Sequence, residues 1–236
     1  MTFMNPKHNE QLEQLMGSDC QMLYRELQLM SLEAGQNLFV PGNPFDYVYF
    51  PLNALIAVSN EISDGVCIDI AVIGSEASAG LLGLFKHECP YRVYVAHPGL
   101  AYKIALPQLR QYFDIAGGCI QKMYVQANFH ILTQIAAETT CAHFHTVPAR
   151  LSKWLLRRTE LVDQTYLEVT HQYISESLGV RREGITNALA KLAGISSHRN
   201  RIEVIDRSAL QQEVCDCYHS INENSHGQKT LQFQKN

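Results

Sequence analysis

Residues Thr170–Leu192 read THQYISESLGVRREGITNALAKL, and two short helical patterns meet there at a glycine. Ile174 and Leu178 share one face of a first helix that Thr170 can cap, and Ile185, Ala188, Leu189 and Leu192 repeat at helical spacing on a second. Gly179 stands where the first helix must stop and the chain reverse, with the apolar Val180, expected to be buried, after it. The small Ser175 suits a close helix crossing. This is the pattern of a helix-turn-helix. Its second helix opens with Arg181, Arg182 and Glu183, a set of donors and a carboxylate at the end where such a helix meets base edges. A helical hairpin inside a bundle is the alternative.

The segment SHRNRIEVI, Ser197–Ile205, reads as a tight turn carrying Arg199 and Arg201, followed by a strand in which Ile202 and Val204 alternate. A wing of this kind places arginines against phosphates, which positions a domain without reading sequence.

The run LGVRREGITNALAKL, then RIEVIDRSAL and CDCY at Cys215–Tyr218, resembles the Crp/Fnr family of bacterial transcription regulators, in a form without a cyclic-nucleotide site. The resemblance extends over nearly the whole chain. It implies that Arg182 and Glu183 make the main base contacts, with Asn187 where the family has a second arginine, so the family's best-known half-site is not expected. Asn187 can still read adenine. Thr170, His171, Gln172, Arg181, Thr186, Arg199 and Arg201 are the candidate contacts to the DNA backbone. The stretch between Leu192 and Arg199 is short for the family, so a reshaped wing is expected. The implied partners are double-stranded DNA and a second copy of the chain, with RNA polymerase as a further candidate; the effector is unknown.

Charge follows the same division. The 236 residues carry a net charge of −4, but residues 1–145 hold 7 Lys+Arg against 13 Asp+Glu while residues 146–210 hold 10 against 7. An acidic front with a basic C-terminal module suits a sensor joined to a DNA reader. Hydrophobic residues make up 46%, no apolar run is long enough to span a bilayer, and the N-terminus MTFMNPKHNEQLEQLM lacks an apolar signal core, so a two-domain cytoplasmic protein is expected.

Between Leu32 and Leu106, LFV, YVYF, IAVS, CIDIAVI, RVYVA and LAYKIA read as short strands separated by turns, with Asp64-Gly65 at hairpin spacing. The expected class is α+β: an N-terminal helical lead-in and antiparallel β-roll sensor over 1–110, to which the resemblance gives a cyclic-nucleotide-binding-like jelly-roll topology. A dimerisation helix over 111–145, a winged helix-turn-helix over 146–218 and a disordered tail over 219–236 follow. The candidate effector pocket is Gly80, Leu81, Leu82 and Gly83 with Arg92. In the cAMP-binding relatives the residue after the first glycine is glutamate; Leu81 there would leave a buried ribose hydroxyl unpaired at about 1–3 kcal/mol. Arg92 is one residue out of step with the phosphate-binding arginine. The pocket does not suit cAMP; a cyclic-nucleotide regulator with another binding mode is the alternative.

Ile120, Met123, Tyr124, Ala127, Ile131, Leu132 and Ile135 form an apolar stripe too broad for a two-helix seam, so one face suits a second subunit and the other the roll. A dimer also grips two half-sites one helical turn apart. The candidate dimerisation residues are Ile120, Met123, Tyr124, Ala127, Ile131 and Ile135; a monomer's core helix is the alternative. After His145, Val147, Leu151, Trp154, Leu155 and Leu161 face a core, with Trp154 inside it and Arg150, Lys153, Arg157 and Arg158 on other faces.

Seven cysteines raise metal chemistry, yet there is no CxxC, and Cys20, Cys67, Cys89, Cys119 and Cys141 are scattered. Cys215-x-Cys217 with His219 lacks a fourth ligand, and the histidines of Cys141-x-His143-x-His145 point apart if helical, which also disfavours a metal-binding cupin. No metal or cofactor is expected. There is no P-loop, G-x-S-x-G elbow or H-E-x-x-H, so an enzyme is not expected.

Overall fold

The computed structural model describes residues 9–15, 21–61, 67–116 and 118–226. The chain divides into two compact units, residues 1–131 with 160–163, and residues 132–159 with 164–236.

The first unit opens with α1 (Glu10–Leu15) and a 3-10 turn, and is built on seven strands: β1 (Gln28–Leu32), β2 (Asn37–Phe39), β3 (Tyr47–Pro51), β4 (Leu55–Glu61), β5 (Cys67–Ile73), β6 (Arg92–His97) and β7 (Gly99–Ala105). They form two antiparallel sheets, ordered β1-β7-β3 and β2-β6-β4-β5. Six coincide with the strands expected from sequence. The seventh, β1, was not foreseen: QLMSL buries only Leu32 and carries little apolar alternation. The chain changes sheets at Gly99, where a Cβ would stand 2.6 Å from the Ala54 amide nitrogen, so only glycine fits the corner. The Asp64-Gly65 turn lies outside the described residues. One core of Phe39, Val48, Phe50, Ile56, Ile73, Val95 and Ile104 is shared by both sheets.

Helix α2 (Leu106–Ala116) leads to α3 (Gly118–Phe144). Ile120, Met123 and Ala127 are buried in the core of the first unit, and Tyr124 and Ile131 pack against it. Of the expected dimerisation residues, Ile120, Met123 and Ala127 thus lie on the face that packs on the roll. The roll's own core takes these three side chains, so that face of α3 is satisfied within the chain. Exposed apolar side chains lie elsewhere on the helix, at Val125 (63%), Phe129 (49%) and Leu132 (63%). Ile135 is half-buried.

The second unit holds the end of α3, most of α4 (Val147–Leu161), β8 (Tyr166–Glu168), α5 (His171–Leu178), α6 (Arg182–Leu189), β9 (Ile195–His198), β10 (Arg201–Val204), α7 (Arg207–Glu213) and α8 (Asp216–His226). The wing is an antiparallel hairpin of β9 and β10, turning at Arg199 and Asn200, and β8 adds a third strand in the order β8-β10-β9. Helix α8 carries regular structure to His226, into the stretch expected to be disordered, and buries Ile221.

On α4, Leu151, Trp154 and Leu155 are buried as expected, but so are Lys153 (2%), Arg157 (7%) and Arg158 (3%). The faces of α4 that carry these cations are thus interior as well. No helix among the described residues is long and apolar enough to cross a membrane.

Candidate nucleic-acid interface

Thr170 caps α5, its hydroxyl accepting from the Tyr173 amide at 3.0 Å. Gly179 ends it at φ 62°, a left-handed conformation that costs glycine little. Val180 then turns the chain into α6 and is half-buried rather than buried. Ile174, Leu178, Ile185 and Ala188 are buried in the seam between α5 and α6, and Ser175 is 5% exposed, its hydroxyl bonded back to the Gln172 carbonyl.

This packing turns Arg181, Arg182, Glu183, Thr186 and Asn187 outward, all of them exposed. Glu183 and Asn187 are one turn apart on the same face. Among the described residues, the side chains of Arg182, Glu183 and Asn187 have no partner. Other candidates already have one. His171 Nδ1 lies 3.1 Å from Thr186 Oγ1, latching α5 to α6, and Gln172 donates to Glu176 at 2.6 Å. Arg201 lies 3.7 Å over the Tyr166 ring and 3.8 Å from Glu203, whereas Arg199 is exposed at the wing tip with φ 49°.

The buried cations fasten this element from inside. Arg158 stacks 4.3 Å over the Trp154 ring and donates to Ser177 Oγ at 3.0 Å; Trp154 Nε1 donates to the same hydroxyl at 2.8 Å. Arg150 donates to the Leu178 carbonyl, satisfying the C-terminal end of α5. Lys153 donates to Glu138 at 2.7 Å and Arg157 to Asn222 at 3.1 Å. The basic balance of this module is thus partly internal, and the exposed cations are Arg181, Arg182, Lys191, Arg199, Arg201 and Arg207, of which Arg207 donates to the Tyr218 hydroxyl.

In the first unit, Gly80 has φ 103°, and a Cβ would stand 2.5 Å from the Tyr47 carbonyl oxygen. Leu81 and Gly83 are buried, Leu82 is half-buried, and Leu81 belongs to the apolar core. Arg92 donates from Nε to Asn37 at 3.0 Å and lies 4.8 Å over the Tyr94 ring. A nearby cleft is lined by Phe45, Asp46, Gly83, His87, Arg110 and Gln111 among others, so of the five candidate pocket residues Gly83 alone borders it.

The cysteines depart furthest from expectation. Cys141, Cys215 and Cys217 come together with His145, their ligand atoms all within 4.8 Å of one another. The sequence separates the two pairs by most of the C-terminal unit, so spacing alone hides the group. His143 is exposed with its ring bonded to the Thr139 carbonyl, and His219 is exposed. The Cys141 thiol is held far below its ordinary value, at about 4, chiefly by a hydrogen bond from Cys215, with Lys153 adding to it. Burial pushes Cys217 up to about 11.

A family model described as a Crp-like helix-turn-helix domain matches residues 149–213. The global nitrogen regulator of Synechococcus elongatus is 25% identical over 203 residues, 79% of this chain and 90% of that protein. The c-di-GMP responsive global regulator CLP of Xanthomonas campestris superposes with a TM-score of 0.65 at 16% identity, covering 78% of this chain and 96% of that one. A CRP/FNR-family transcriptional regulator from Thermus thermophilus gives 0.64 at 20% identity, covering 79% and 97%. The fold is the one these regulators share.

Proposed function

We propose that this chain, which carries a Crp-like helix-turn-helix domain on the Crp/Fnr fold, is a transcription regulator that binds a roughly palindromic operator as a homodimer. The observation that carries the reading is the outward row of Arg182, Glu183 and Asn187 on a helix whose opposite face is locked by Ile185, Ala188 and Leu189. A rigid helix with free head groups matches the width of the major groove. Arg182 donates a bidentate pair to guanine, Glu183 accepts from a cytosine amino group, and Asn187 pairs with adenine or reaches a phosphate.

Phosphates are met by Arg181 and Arg199, whose charges are unspent. Thr170, His171, Gln172, Thr186 and Arg201 contribute less, since each already serves a partner within the unit.

Dimerisation runs along the exposed row of α3. Val125, Phe129, Leu132 and Ala136 are spaced by four, three and four residues, the step of a coiled-coil seam, and all are exposed. The effector is not cAMP: Leu81 is an element of the core and Arg92 is tied to Asn37, which supports a roll without the ribose and phosphate partners that cAMP needs.

A gel-shift against fragmented genomic DNA at two salt concentrations tests the reading. Specific fragments with a steep salt dependence are expected; uniform weak binding, or none, overturns it. A thermal-shift titration with cAMP and cyclic di-GMP tests the effector, and stabilisation of about 2.7 kcal/mol at 100 times the dissociation constant of cAMP would refute that part.

A further inference from the structure

We infer that Cys141, His145, Cys215 and Cys217 form a four-ligand site for a thiophilic divalent cation of the zinc class, which joins the end of α3 to the start of α8. In a tetrahedral zinc site, metal–sulfur bonds of about 2.3 Å and metal–nitrogen bonds of about 2.0–2.1 Å put neighbouring ligand atoms about 3.5–3.8 Å apart. Here Cys141 Sγ is 3.4 Å from Cys215 Sγ and Cys217 Sγ is 3.7 Å from His145 Nδ1, with all four atoms within 4.8 Å. An iron–sulfur cluster, whose inorganic core lies between its ligands, needs more room. Oxygen-seeking ions such as magnesium or calcium do not suit a set of three sulfurs and an imidazole.

Local structure explains how two distant segments reach one point. Cys141 lies in the last turn of α3 and His145 directly follows the helix, its amide still donating to the Cys141 carbonyl at 3.2 Å, so the two residues sit one turn apart on the same side. Cys215 immediately precedes α8 and Cys217 is its second residue. The three cysteines are buried and His145 is half-buried, a closed set that suits a structural metal rather than a catalytic one with an open position.

The surroundings fit as well. Three thiolates, a neutral imidazole and a divalent cation leave one net negative charge. Lys153, 2% exposed and bonded to Glu138, acts electrostatically on Cys141. A buried ammonium beside a ligand sulfur is the outer partner such a site needs. The ion would hold α8 on the unit that carries the reading helix, where Ile221 packs near the cysteines and Asn222 accepts from Arg157. The site is independent of the DNA-reading proposal.

The test is cobalt titration of the full-length chain, reduced and stripped of metal with a chelator. One Co2+ per chain is expected, with intense tetrahedral d–d absorption, thiolate-to-cobalt charge-transfer bands, and displacement by Zn2+. Cys217→Ser should remove one of three thiolate contributions to the charge-transfer intensity, and His145→Ala should keep all three while weakening affinity. Because the first readout uses the parent chain, it stands even if a variant fails to fold. A folded, reduced parent that takes up no cobalt would overturn the inference. So would charge-transfer bands that persist unchanged in a Cys141→Ser, Cys215→Ser double variant, or closure of a Cys141–Cys215 disulfide that leaves no room for the ion.

Discussion

Trp154 Nε1 donates to Ser177 Oγ across 2.8 Å in the buried seam between α4 and α5, and Arg158 donates to the same hydroxyl at 3.0 Å. One small side chain therefore satisfies two buried donors on the helix that seats the DNA-reading pair. Ser177→Ala leaves both short of an acceptor and should cost about 1–3 kcal/mol of stability. Guanidinium denaturation followed by the fluorescence of Trp154, the chain's single tryptophan, measures it; a change within about 0.5 kcal/mol, typical of an unimportant surface position, would contradict this role.

Exposed and buried arginines should separate in their salt dependence. Arg199→Ala should weaken specific and non-specific DNA alike and reduce the slope of log affinity against log salt by about 1.8, one phosphate contact from each subunit of the dimer. Arg158→Met should change stability and leave the slope of the folded protein unaltered, since its guanidinium lies on Trp154. Fluorescence anisotropy over a salt series distinguishes them. An unchanged slope for Arg199→Ala would remove the wing tip from the interface.

The two faces of α3 predict opposite outcomes for two leucine-sized side chains. Leu132→Glu, at a 63% exposed position, should leave the fold intact and shift the protein to monomer in sedimentation. Ile120→Ala, at a fully buried position, should cost about 2–5 kcal/mol through the cavity it leaves, without loosening the association of the protein that remains folded. A monomer from Ile120→Ala and a dimer from Leu132→Glu would reverse the assignment.

The features legible in the sequence are those with local causes. Gly179, Thr170 and the spacing from Ile174 to Leu192 act within a few residues, so the turn, the cap and the outward Arg182-Glu183 step could be read directly. So could six of the seven strands of the roll, through their own apolar runs. What stayed hidden depends on which face of an element the rest of the chain takes. Helix α3 carries apolar residues on more than one side, and periodicity cannot say that Ile120 turns inward while Val125 turns outward. The cations of α4 fall off its apolar face, and nothing local says that Ser177, Asn222, Glu138 and the Trp154 ring each provide a partner in the interior. Cys141 and Cys215 meet only through tertiary structure, 74 residues apart.

The central claim, that Arg182 reads a base pair rather than merely adding charge, is tested most directly by the specificity ratio of Arg182→Ala. Affinities for an operator and for a scrambled duplex would be measured at one fixed salt concentration, beside the parent. The account predicts a ratio reduced by a factor equivalent to about 1–3 kcal/mol for each half-site, with discrimination relaxed at a single base pair of each. A ratio equal to the parent's, with both affinities lowered together, would contradict it.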